Sequence, residues 1–139
     1  MRLNLYKDVR QSAGVLMTRS ERVLFIEDNE DVAIAGAAML ETCGYEVLHY
    51  VTAEEGLEAF QNKRFALVLS DINLPGQMNG IDLATAIRRH KPETPIILAT
   101  GFSDMAERAA KNFTVLQKPY DMRQFRAAIA QVSPNTRGQ

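Results

Sequence analysis

Phe65-Ala66-Leu67-Val68-Leu69, followed at once by Ser70-Asp71, is the stretch that decides the fold. Five apolar residues in unbroken succession read as a strand buried on both faces, and such strands belong to parallel sheets. Outward from it, Val23-Leu24-Phe25-Ile26, Glu46-Val47-Leu48-His49-Tyr50, Pro95-Ile96-Ile97-Leu98-Ala99 and Thr114-Val115-Leu116-Gln117 are four further short runs. The segments between them carry apolar residues at helical spacing. Val32 to Leu40 predicts an Ala-rich helix closed by Gly44, and Ala53 to Gln61 a second with Leu57 and Phe60 inward and Thr52 as its cap. Ile81 to Arg89 predicts a third, ending on basic residues where the helix dipole favours them. A short helix around Met105 to Ala110 and a last one from Met122 to Val132 complete a five-fold βα alternation, an α/β domain wound around a parallel sheet.

The composition bounds what such a domain can do. A chain of 139 residues with 46% hydrophobic content has material for one substantial core. Sixteen Lys and Arg against seventeen Asp and Glu give a net charge of -1, so no global positive field draws a nucleic acid or an anionic membrane. Cys43 is the single cysteine and pairs with nothing internally, which fits a reducing cytoplasm. No apolar run approaches the roughly 20 residues of a membrane span, and residues 1–20 lack the pattern of a secretory signal. Those residues are expected to form an extension, either helical through Leu3, Leu5, Val9, Leu16 and Met17 or without order; 21–133 is the domain and 134–139 a polar tail.

In an open parallel sheet, ligands bind beyond the carboxyl ends of the strands where strand order reverses. Glu27 and Asp28 close the first run, Asp71 the third, Thr100 the fourth and Lys118 the fifth. Three carboxylates crowded together raise one another's pKa unless a cation neutralises them, and an oxygen-only ligand set suits Mg²⁺. A carboxylate at a metal can attack phosphorus while the ion and a lysine neutralise the transferring oxygens. Each residue also has a plainer reading. Asp71 could be a turn former, Glu27 and Asp28 caps for the helix beginning near Glu30, Thr100 a loop hydroxyl and Lys118 a solvated surface lysine. His49 and His90 read as surface histidines, and Cys43 as a small half-buried residue without a role.

Four segments then carry a resemblance: Val-Leu-Phe-Ile-Glu-Asp-Asn (23–29), Leu-Val-Leu-Ser-Asp-Ile-Asn-Leu-Pro-Gly (67–76), Ile-Leu-Ala-Thr-Gly (97–101) and Leu-Gln-Lys-Pro-Tyr (116–120). Together, over roughly residues 20 to 133, the chain resembles the receiver domains of two-component signalling. The resemblance implies a flavodoxin-like, doubly wound (βα)5 domain with strand order 2-1-3-4-5. It makes Asp71 the phosphoacceptor, Glu27 and Asp28 the acidic pair, Asn73 the donor of a backbone carbonyl to Mg²⁺, and Thr100 and Lys118 the phosphate-sensing pair. The Lys118-Pro119 bond is expected to be cis. The implied partners are a histidine kinase or phosphotransfer protein, and a protein target on the face made by the fourth helix, fifth strand and fifth helix. A homodimer is open, and no direct contact with nucleic acid or membrane is expected. The chain would be a signalling phosphoacceptor, not an enzyme beyond its own phosphorylation and dephosphorylation.

The sequence also departs from the family's pattern. Glu27 stands where Asp is commoner, the loop from Leu74 to Gly80 looks one residue longer, and Val115 occupies a position where many receivers carry a switching Tyr or Phe. Val115 therefore favours a second reading, a phosphate sink or relay stage for a hybrid kinase. A phosphohydrolase would want an acid where Asn73 stands, and an interaction module that is never phosphorylated would not need Asp71, Thr100 and Lys118.

Overall fold

The computed structural model describes residues 21–133, so the readings of 1–20 and 134–139 lie outside the described residues. Five strands, β1 (Arg22–Ile26), β2 (Glu46–Tyr50), β3 (Leu67–Asp71), β4 (Ile96–Thr100) and β5 (Thr114–Gln117), alternate with five helices, α1 (Glu30–Thr42), α2 (Ala53–Asn62), α3 (Gly80–His90), α4 (Ser103–Ala109) and α5 (Met122–Val132). All pairings are parallel and the order is β2-β1-β3-β4-β5, as expected. Strand order reverses beside β1, which opens a crevice at the carboxyl ends of β1 and β3.

Period-two alternation sorts the sheet's side chains into two cores. Val23, Phe25, Leu67, Leu69, Ile97, Ala99 and Leu116 pack with Leu40 of α1 and Phe125 of α5. Leu24, Ile26, Val68, Ile96 and Leu98 face Phe60 of α2, Leu83 and Ile87 of α3 and Ala109 of α4. Leu57 is only half-buried against this second core, whereas Phe60 is fully inward.

The helix ends follow from their capping residues. Thr52 caps α2 with a reciprocal bond from Glu55, and Asn79 with Asp82 and Asp121 with Gln124 do the same for α3 and α5. Gly44, at φ +96°, ends α1 as expected. The cap at the start of α1 differs from the sequence reading: Asn29, not Glu27 or Asp28, accepts from Val32 N–H at 3.0 Å. Glu27 instead accepts from the N–H of Asn29 at 3.2 Å. The third strand also sits two residues later than its apolar run, because Ser70 and Asp71 still pair with Leu98 and Ala99 of β4. No helix among the described residues is long and apolar enough to cross a membrane.

Candidate functional site

Backbone pairing sets the rim. Glu27 N–H donates to Tyr50 O at 3.1 Å, Ile72 N–H to Ala99 O at 2.9 Å and Lys118 N–H to Thr100 O at 2.8 Å, so the ends of neighbouring strands stay level. Glu27, Asp71 and Thr100 are buried there, at 3%, 8% and 0% exposure, while Asp28 faces solvent. The Lys118-Pro119 bond is cis.

The expected side chains converge. Lys118 Nζ lies 3.0 Å from Glu27 Oε1 and 3.4 Å from Asp71 Oδ1. Glu27, Asp28 and Asp71 each offer a carboxylate oxygen, all within 4.8 Å of one another. With one ammonium among three carboxylates the cluster retains an excess of two negative charges when all are ionised. Oxygen donors with that excess fit a hard divalent cation such as Mg²⁺.

The electrostatics carry the same message. Burial is the largest cause raising Asp71 from 3.8 to about 6; Glu27 and Asp28 add to it, and Lys118 opposes it without prevailing. Crowding of carboxylates was the expected cause, but desolvation exceeds it. Lys118 is also raised: burial works against its charge, yet the bond it donates to Glu27 and the charges of Asp71 and Glu27 outweigh burial. The two shifts reconcile if the ammonium serves Glu27 first, at the shorter distance, and Asp71 is the under-compensated partner.

The Thr100 hydroxyl makes two hydrogen bonds: it donates to Asn73 Oδ1 at 3.1 Å and accepts from Phe102 N–H, also at 3.1 Å. Asn73, singled out for its backbone carbonyl, thus has a side-chain bond as well. Val115 is half-buried against the core facing α2, α3 and α4.

Three further residues at the site were not identified from sequence. His49 is exposed as expected, but its Nε2 lies 2.7 Å from Glu27 O; a carbonyl only accepts, so that nitrogen carries the proton. Tyr120 stacks on Phe125 at 6.2 Å, and its phenol is pushed up by burial, with Lys118 opposing and Glu27 and Asp71 reinforcing. Its signal was its place in Lys118-Pro119-Tyr120, next to a site residue. Gly80 packs on β3 so closely that a Cβ there would overlap the Asp71 carbonyl oxygen and lie 2.8 Å from Ile72 Cα. A depression of about 860 Å³ lined by Glu21, Phe65, His90 and Pro95 opens elsewhere and gathers none of the rim residues.

A flavodoxin-like (βα)5 domain with a buried aspartate, an acidic pair and an ammonium on its carboxyl rim defines a class of small signalling-type α/β domain. Residues 23–130 match the response regulator receiver domain, and the chain belongs to that family. It is 34% identical over 107 residues to the response regulator receiver protein CpdR of Brucella abortus, covering 74% of this chain and 88% of that protein. It is 39% identical over 103 residues to the phosphoglycerate transport system transcriptional regulatory protein PgtA of Salmonella typhimurium, covering 71% of this chain but only 25% of that one. Among solved structures, a CheY-like receiver domain protein from Methanospirillum hungatei superposes with a TM-score of 0.70 at 30% identity, over 81% of this chain and 93% of the other.

Proposed function

We propose that this chain is a phosphoacceptor in a two-component relay, in which Asp71 takes a phosphoryl group from a phosphohistidine of a kinase or phosphotransfer partner and protein contacts carry the result. The observation that bears most weight is Asp71 itself: a carboxylate 8% exposed, at the point where strand order reverses, 3.4 Å from an ammonium and beside two further carboxylates. A buried, under-compensated carboxylate is costly for a fold and useful to a nucleophile.

In the transfer, an Asp71 oxygen attacks phosphorus, the P–N bond breaks, and the imidazole leaves with the bonding pair. With its pKa near 6, Asp71 is ionised at neutral pH and more basic than an ordinary aspartate. Lys118 offers N–H donors to the transferring oxygens from its place beside Asp71. Glu27, Asp28 and Asp71, with the backbone carbonyl of Asn73, would hold Mg²⁺, which when bound supplies charge neutralisation for the phosphoryl oxygens.

The Thr100 bonds suggest how the state is read. A hydroxyl has one proton, and here it rests on Asn73 Oδ1. A phosphoryl oxygen on Asp71 that recruits it breaks this bond and disturbs the Phe102 N–H that Thr100 accepts. Phe102 is 61% exposed and precedes α4 without capping it through a side chain, so the β4–α4 turn can move without a core aromatic at Val115. The target face would be that of α4, β5 and α5. Val115 supports the second reading, a phosphate sink or relay stage with little movement.

Purified protein with Mg²⁺ and acetyl phosphate separates these readings by intact mass and two-dimensional NMR. A single phosphoryl mass gain, lost in Asp71→Ala, with shifts spreading through Phe102 into α4, supports the switch. The same gain with shifts confined to the rim supports the sink. Absence of both mass gain and magnesium-dependent shifts removes the phosphoacceptor reading.

A further inference from the structure

The loop that follows Asp71 is held from outside by a residue no motif marks. Residues 72–79 run from the end of β3 to the start of α3, and Gly80 N–H donates to Ile72 O at 2.8 Å, closing the base of the loop. Its far side is fastened to α2. The Glu54 carboxylate accepts from the main-chain N–H groups of Gln77 and Met78, both at 3.0 Å and both to Oε2. Two successive amides converging on one oxygen form a nest, a backbone concavity suited to an anion. Gly76 makes the nest possible: its φ is +94°, and a Cβ there would lie 2.9 Å from Glu54 Oε1. The carboxylate is lowered in pKa first by its own backbone N–H; burial opposes this, and the N–H groups of Met78 and Gln77 lower it further, so the clasp is charged at neutral pH.

We propose that Glu54 is a positioning residue for the Asp71 site: by clasping the amides of Gln77 and Met78 it fixes the loop whose Asn73, two residues after Asp71, is bonded to Thr100. Besides the Asn79–Asp82 cap and the packing of Leu74 and Met78 on the core, the loop is held by its closed base, the Thr100–Asn73 bond and the Glu54 clasp. Of these, the clasp alone is supplied by an exposed side chain from a neighbouring βα unit. An eight-residue connection, 72–79, has many conformations to lose, and an external tether removes part of that freedom. Glu54 touches neither Asp71 nor Lys118, so it acts through the backbone. The proposal rests on Asp71 being the phosphoacceptor.

The test compares wild type, Glu54→Ala, Glu54→Gln and the control Glu55→Gln. Glu55 is in the same turn and loses the same charge in the control, but its side chain bonds Thr52 and Val51 N–H and does not reach the loop. Amide exchange at Gln77 and Met78, Mg²⁺ affinity from NMR shifts, and the rate of mass gain with acetyl phosphate are read together with thermal midpoints. Glu54→Ala is expected to speed exchange at both amides and to weaken Mg²⁺ binding and slow phosphorylation by roughly tenfold, the low end for an outer partner of a metal site. Its thermal midpoint should stay near wild type, Glu54→Gln should recover most of the loss through its remaining oxygen, and Glu55→Gln should match wild type. Faster exchange with unchanged Mg²⁺ affinity and phosphorylation overturns the proposal, as does equal loss in Glu55→Gln, which would make the effect one of charge alone. If wild type itself neither binds Mg²⁺ nor gains mass, the phosphoacceptor reading fails first and takes this one with it; if wild type does both and Glu54→Ala equals it, only the clasp fails.

Discussion

Asp71→Asn should make the metal-free protein more stable at neutral pH. Asp71 is raised from 3.8 to about 6 in the fold, so the folded chain holds this proton more tightly than the unfolded chain does. For a raised carboxylate the associated stability is present in full below about pH 4 and is lost as pH climbs to about 6. At about 1.4 kcal/mol per pH unit, that interval corresponds to about 3 kcal/mol carried as a cost by ionised Asp71 at pH 7.5. With 8% exposure little of this is screened away, and we take about 2–3 kcal/mol for the gain on replacing the carboxylate by a neutral amide of the same shape.

The assay is urea unfolding with EDTA, at pH 7.5 and pH 3.5, followed by far-UV circular dichroism because the chain has no Trp. At pH 7.5 the variant should gain that energy, on the order of 10 °C in Tm for a domain of this size. At pH 3.5, where Asp71 is protonated in wild type, the two should coincide. Adding Mg²⁺ should stabilise wild type more than the variant and narrow the gap. A variant less stable than wild type at pH 7.5 without metal would refute the reasoning, since it would mean that Lys118 more than compensates the buried charge.

Lys118→Met takes the ammonium from both Glu27 and Asp71 and leaves two buried carboxylates together; it should destabilise the metal-free protein at pH 7.5 by about 3 kcal/mol, measured by the same urea assay, with the loss shrinking towards pH 4. Gly80→Ala puts a methyl group against the Asp71 carbonyl and should cost about 1–3 kcal/mol while shifting the amide resonances of Asp71 and Ile72; an unchanged spectrum would contradict the close packing of α3 on β3. Thr100→Val keeps the shape of the side chain but removes the bonds to Asn73 and Phe102, and should accelerate hydrogen exchange at the Phe102 amide with little change there on addition of beryllofluoride.

Much of this molecule is legible in its sequence because the sheet is built from period and polarity. The runs around Val23, Val68 and Ile97 are apolar throughout because β1, β3 and β4 are covered on both faces, and a strand's apolarity reports its burial directly. The reading fails where backbone pairing outlasts the apolar run. Ser70 and Asp71 are laddered to Leu98 and Ala99 although neither is apolar, so an apolar window ends the strand two residues early at the very residues the site uses. Asp28 looks as good a cap as Asn29, and only the local backbone decides between them. The Thr100–Asn73, Glu54–Gln77 and His49–Glu27 bonds join residues 27, 23 and 22 positions apart. No local pattern encodes these bonds, since each depends on which strands, helices and loops the topology sets side by side.

The distribution of buried polarity links the fold to its use. Among the described residues, the buried polar or charged side chains are Glu27, Ser70, Asp71 and Thr100, all at the carboxyl ends of β1, β3 and β4. Away from that rim the central strands are packed with Val, Leu, Ile, Phe and Ala, whose burial favours folding at about 25 cal/mol per Å². The rim does the reverse: desolvation raises Asp71, and one ammonium is shared between two buried carboxylates. Because this cost is confined to one edge, a cation or phosphoryl group bound there would relieve it without disturbing the cores. The bonds at that edge, Thr100 to Asn73 and Phe102 to Thr100, lead outward to an exposed aromatic at the start of α4. A site placed at the centre of either core would have no such outlet, since close-packed interiors resist small displacements; at the rim, the proposed change of the Thr100 proton's partner lies one hydrogen bond from the turn and the short helix α4.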